Sequence, residues 1–162
     1  MVILGVDPGS IRTGWGAIRS DGRRHHLLEK GVLAPPARAE LPARLRYVHA
    51  GIAEIIARLS PDILAVEDLF HAKSARAALV LGHVRGVILL AGAEAGLSVY
   101  AFPPATVKLQ VTGHGQAEKR QIAFMVARML ALPGNGEAGD AADALAVAIC
   151  HAHLHGLPVS AS

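Results

Sequence analysis

Disulfide chemistry is closed to this chain. Cys150 is its one cysteine, which excludes an internal disulfide and any multi-cysteine zinc site and suits a reducing compartment, the cytoplasm. Aromatic residues supply only 4% of the chain and charged residues 18%, against an apolar fraction of 52%. Long disorder is therefore not expected, and the core must be built from Leu, Ile, Val and Ala. Long apolar runs are also missing. Met1 to Val6 is apolar but Asp7 interrupts it at once, so no signal peptide is expected. The stretch from Gly86 to Ala95 is broken by Gly92 and Glu94 and is too short to span a bilayer, which points to a soluble protein. There is no internal repeat, low-complexity tract or linker. A length of 162 residues fits one domain, expected over residues 1–155 with 156–162 as a short tail.

What is present is a modest basic excess, 16 Lys and Arg against 13 Asp and Glu. That balance suits a polyanionic partner without demanding one. Val2 to Val6 reads as a strand ended by Pro8-Gly9, which leaves Asp7 at its C-terminal end. Thr13 to Ile18 is a second strand, with Gly14 and Gly16 where another backbone can approach closely. Asp21-Gly22 signals a hairpin turn, and a third strand runs from about His26 to Leu33. Leu41, Leu45, Val48, Ile52, Ile55, Ile56 and Leu59 then recur at helical spacing. Ile63 to Val66 is a buried-type strand carrying Glu67 at its end. Ser74 to Ala95 reads as a long helix rich in small residues, and Ser98 to Phe102 as a fifth strand. A short helix, the loop Thr112 to Gln116, a helix from Glu118 to Leu130 and a last helix from Asp140 towards His155 complete the chain. Three strands followed by alternating helices and strands predict an α/β protein with a mixed five-stranded sheet flanked by helices.

Four carboxylates stand where a metal site can be assembled. Asp7 and Glu67 end strands, and Asp140 and Asp143 share one face at the start of a helix. Asp68 should face away from Glu67. If the first and fourth strands are neighbours, Asp7 and Glu67 lie side by side. Taken singly, each has an ordinary reading: Asp140 as an N-cap, Asp143 as a first-turn acid, Asp7 as a turn residue and Glu67 as a solvated strand end. Together they repel unless cations or protons neutralise them. Hard oxygen ligands select Mg²⁺ or Mn²⁺ over zinc, and two such ions would clamp a phosphodiester. The alternating His151, His153 and His155 are read as solvated or helix-end groups and not as ligands; His114, between two glycines, is a weaker candidate for DNA contact.

These residues carry a resemblance. Asp7-Pro8-Gly9-Ser10 with Thr13-Gly14-Trp15-Gly16, Val66-Glu67-Asp68-Leu69-Phe70-His71-Ala72-Lys73, and Asp140-Ala141-Ala142-Asp143-Ala144-Leu145-Ala146 resemble the RuvC resolvases, as do Val107-Lys108 and Ala117-Glu118-Lys119. The likeness runs from Val2 to about His153. It implies an RNase H-like fold, a homodimer, and paired symmetric nicks that resolve four-way DNA junctions in recombination and repair. It also implies partnership with the RuvA–RuvB branch-migration proteins. By position, Asp7, Glu67, Asp140 and Asp143 become metal-binding catalytic acids. Lys108 and Lys119 become basic groups serving the phosphate backbone near the cut, and Phe70 an aromatic that stacks on an unpaired base. Lys73 and Arg76 join the DNA-binding set. The chain departs from the family at Ser74, where Asn is common, at Val80, where Lys is common, and at His83, where Gln is common. Those differences bear on DNA contacts, with Arg76 a candidate compensating charge. Rival readings are a nuclease for RNA–DNA hybrids, a phosphotransferase, which needs a second domain, and a catalytically silent junction-binding module.

Overall fold

A computed structural model describes residues 1–68 and 74–156. Phe70 and Lys73 lie outside the described residues. The elements are β1 (Val2–Asp7), β2 (Thr13–Ser20), β3 (His25–Leu33), α1 (Leu41–Leu59), β4 (Ile63–Glu67), α2 (Ala75–Glu94), β5 (Ser98–Phe102), α3 (Pro104–Thr112), α4 (Lys119–Met129) and α5 (Asp140–His155). They form one five-stranded sheet in the order β3-β2-β1-β4-β5. β1 is antiparallel to β2 and parallel to β4, and β4 is parallel to β5.

Strand alternation divides the core into two layers. Leu4 and Val6 of β1 and Leu64 and Val66 of β4 point to one face, where Val48 and Ile52 of α1 and Val84 and Ile88 of α2 cover them. Ile3 and Ala65 point to the other face, against Val107 and Val111 of α3, Ile122 and Val126 of α4 and Leu145 and Ile149 of α5. Asp7 and Glu67 continue the second series, so the same period that buries Ile3 and Ala65 delivers both carboxylates to the side of α3, α4 and α5.

Helix α5 lies unusually close to the sheet. A Cβ at Gly5 would stand 2.1 Å from the Ala144 carbonyl oxygen, and one at Gly14 would stand 2.0 Å from that of Asp140. Gly5 pairs with Gly16, and Asp7 with Gly14, so the missing side chains line a trough across β1 and β2 that receives the helix. The close approach expected at Gly14 and Gly16 is thus made to α5; Gly5 completes the trough.

One expectation is corrected. His151 is not solvated: it is 1% exposed and packs against Tyr100 with ring centroids 4.6 Å apart. The strongly apolar end of α5 carries it inward, and burial with the nearby His155 lowers its pKa to about 4. His153 instead reaches His25, Nε2 to Nε2 at 3.3 Å. The long helix expected from Ser74 to Ala95 is α2, Ala75–Glu94, which is long and apolar enough by length and composition alone to cross a membrane. Gly92 does not break it, because its bare backbone seats against Leu64 and Val99.

Candidate metal centre

The parallel register sets Val6 beside Val66, and Asp7 and Glu67 follow directly at the strand ends. From the other side, the first turn of α5 presents Asp140 and Asp143. The N-cap is Gly139, so Asp140 is the first helical residue and its carboxylate is not spent as a cap. Oxygen atoms of Asp7, Asp140 and Asp143 lie within 4.8 Å of one another. Glu67 stands outside that trio but is hydrogen-bonded to Asp7 and shares its cleft.

The cleft is about 250 Å³, and Asp7, Glu67, Asp143, Lys108 and Lys119 line it together with the apolar Val107, Ile122 and Ala146. That apolar wall matters for charge. Burial, then the charge of Glu67 and the hydrogen bond to it, push the Asp7 carboxyl up to about 8, with Asp143 adding to the rise. Glu67 is also raised, chiefly by burial, while accepting the hydrogen bond from Asp7 and facing Lys119 and Lys108 lowers it. Without a cation, the pair therefore holds a proton between its two carboxyl groups. Crowded oxygen donors that retain a proton for lack of positive charge fit a divalent ion of the hard class.

The two lysines approach from different helices. Lys108 follows the buried Val107 on α3. Lys119 opens α4, where a cation opposes the helix dipole. What holds it there is Asp143, whose Oδ2 accepts from Nζ at 2.8 Å; this contact above all raises the lysine pKa. Asp68, on the opposite side of β4 from Glu67, pairs with Arg85 of α2 at 3.2 Å. Arg76 is exposed in the first turn of α2, away from the cleft lining. His114 lines a neighbouring cleft with Arg120 and Phe124, and not the acidic one. Sequence reasoning missed Arg12, whose Nε lies 3.2 Å from Asp140 Oδ2. Its only sequence signal was a basic residue in the loop that follows Asp7.

A family model described as "Crossover junction endodeoxyribonuclease RuvC" matches residues 3–151. The crossover junction endodeoxyribonuclease RuvC of Desulforamulus reducens is 48% identical over 152 residues, covering 94% of this chain and 93% of that protein. The RuvC of Vibrio cholerae is 48% identical over 95% of this chain and 88% of its own length. Among solved structures, Thermus thermophilus RuvC in complex with Holliday junction substrate superposes with a TM-score of 0.90 at 34% identity, covering 96% of this chain and 95% of that one. The sheet order and the flanking helices are those of the RNase H-like fold. On the extent of the family match, the identity to curated relatives and the agreement of fold, the chain belongs to the RuvC family of crossover junction endodeoxyribonucleases.

Proposed function

We propose that Asp7, Glu67, Asp140 and Asp143 carry the phosphodiester hydrolysis by which this metal-dependent, structure-selective endonuclease resolves Holliday junctions. The observation that carries the reading is the convergence of carboxylates from three elements: Asp7, Glu67 and Asp143 line one cleft, and Asp140 at its edge brings an oxygen within 4.8 Å of those of Asp7 and Asp143. Divalent ions, Mg²⁺ or Mn²⁺ and two per site, would supply an activated water and stabilise the leaving oxygen. The chain's own residues do the rest. Asp7 and Glu67 would hold the ions from the strand ends once their shared proton has passed to solvent, and Asp140 and Asp143 would close the opposite side. Lys119 fixes Asp143, and the Lys108 ammonium offers donors to a phosphoryl oxygen as charge builds on it. Phe70, Lys73 and Arg76 complete the proposed DNA surface. The products carry a 5′-phosphate and a 3′-hydroxyl, which a ligase rejoins.

A four-way junction has two-fold symmetry, and paired cuts need two sites. The outer face of α2 supplies an interface for a second copy of this chain. Leu79 is 65% exposed and Leu90 50% exposed, and with Leu45 and Val87 they border a groove floored by Gly82 and Gly86. A Cβ added at either glycine would meet nothing within 4 Å, so the floor is open to close approach by another helix. Burying this surface in a homodimer accounts for an apolar helix that would otherwise face water. The RuvA–RuvB complex is the proposed cytoplasmic partner, and residues 1–155 are the proposed nuclease domain.

The test is cleavage of a synthetic four-way junction beside linear duplex and RNA–DNA hybrid, with Mg²⁺, Mn²⁺ or EDTA. Symmetric, ligatable, metal-dependent nicks in the junction alone are expected. Cutting of the hybrid would move the substrate to RNA–DNA duplexes, and junction binding without cutting would leave a silent module. Asp7→Asn should abolish cutting and keep junction binding, whereas normal cutting by the folded variant would sink the assignment of Asp7.

A further inference from the structure

Resting on the reading of this site as a junction nuclease, we propose that Arg12 is a substrate-binding residue that grips a backbone phosphate next to the one being cut. Arg12 belongs to the loop between β1 and β2, and three contacts fix that loop. The Arg12 carbonyl oxygen would lie 1.9 Å from a Cβ at Gly9, so the loop folds back on itself where only glycine fits. Arg44 of α1 donates to the Ser10 carbonyl. Gly14, at the loop's exit, sits against the Asp140 backbone with no room for a side chain. Backbone packing therefore fixes the Arg12 backbone beside the carboxylate group, and the ion pair to Asp140 sets the guanidinium at its outer edge.

At that edge only Nε is engaged, 3.2 Å from Asp140 Oδ2, and the side chain remains 58% exposed. The terminal Nη groups have no partner among the described residues. Arg12 and Asp140 do not line the cleft that holds Lys108 and Lys119, so the arginine is a cation on a separate side of the site. Charge favours the same role. Four carboxylates balance two divalent ions, so a phosphate entering the site is attracted by the cations around it. Once an ion shares Asp140, the guanidinium is left with paired donors in the planar geometry that matches phosphate oxygens. Arginine reaches a neighbouring phosphate from there while Nε stays on the carboxylate.

Junction binding measured by fluorescence anisotropy over a salt series, with Mg²⁺ and in the non-cutting Asp7→Asn background, tests this. Arg12→Met should weaken binding about five- to tenfold and reduce the slope of log affinity against log salt by about 0.9, the loss of one phosphate contact. Arg12→Lys should restore most of the slope. In the cutting protein Arg12→Met should raise KM and leave kcat within about twofold. An unchanged affinity and slope in a folded Arg12→Met protein would overturn the proposal. So would weaker Mn²⁺ binding with unaltered junction binding, because Arg12 would then serve Asp140 alone. Failure of the unsubstituted protein to bind or cut junctions would instead overturn the underlying reading.

Discussion

A carboxyl that stays protonated near neutral pH has consequences that can be measured without any substrate. Burial and the neighbouring Glu67 push the Asp7 carboxyl up to about 8 in the folded protein from an ordinary 3.8, so the folded state holds a proton that the unfolded chain has lost between those values. Stability of the metal-free protein should consequently fall as pH rises from about 4 to about 8, then level off. Thermal unfolding in EDTA across that range, compared with Asp7→Asn, isolates the effect: the variant should lose this part of the slope and melt higher than its parent at pH 8. Equal slopes would mean that Asp7 is not the group holding the proton. Lys119→Met should lower kcat about a hundredfold, because it removes both a cation near the developing charge and the tether on Asp143. Single-turnover cleavage at saturating enzyme would measure that loss, and a purely structural lysine would leave it unchanged. All four acids were legible as candidates from strand ends and helical spacing. The shared proton was not, because it depends on Val107, Ile122 and Ala146 closing over Asp7 from distant helices.

Elements behave more predictably than individual groups, and the reason is period. Alternation in β1 and β4 and the 3.6-residue spacing in α1 mark their buried faces before any tertiary contact is known. Gly14 and Gly16 could be read as close-approach positions, but which element approaches them could not. The answer, α5, lies more than a hundred residues away in sequence, and Gly5 looked like an ordinary member of an apolar strand. Gly5→Val should cost about 3 kcal/mol, since its branches would meet the Ala144 carbonyl and the α5 backbone with nowhere to relax. A melting temperature lowered by about 10 °C would register it. Because α5 carries Asp140 and Asp143, metal binding should weaken in the same variant. The misjudged His151 belongs to this scale too. A spacing of two on a helix says only that His151 and His153 point differently; what each meets depends on Tyr100 of β5 and His25 of β3.

At the scale of the whole molecule, one copy gathers one group of acids, and the apolar outer face of α2 is the proposed seat of two-fold symmetry. Leu79→Glu should leave the fold intact, since that side chain is 65% exposed, and convert the proposed dimer to a monomer of 16.9 kDa by light scattering; a parent protein already monomeric would remove the α2 interface. On a supercoiled cruciform plasmid the dimer should release mainly linear product, from two nicks made in one encounter. The monomer should accumulate nicked circles, and linear product from a verified monomer would remove the requirement for pairing. The helix from Ser74 to Ala95 was legible in the sequence; that Leu79 and Leu90 stand exposed on its outer face was not. The distribution of the acids has a different consequence for the cell. Asp7 and Glu67 are translated early, but Asp140 and Asp143 come 133 and 136 residues after Asp7 and reach the sheet only when α5 docks. A nascent chain can therefore assemble the sheet and bind α1 and α2 while carrying half a metal centre. On the proposed assignment of the four acids, the nuclease should stay silent until α5 docks, and translation that stalls before α5 should leave a fragment unable to nick the genome.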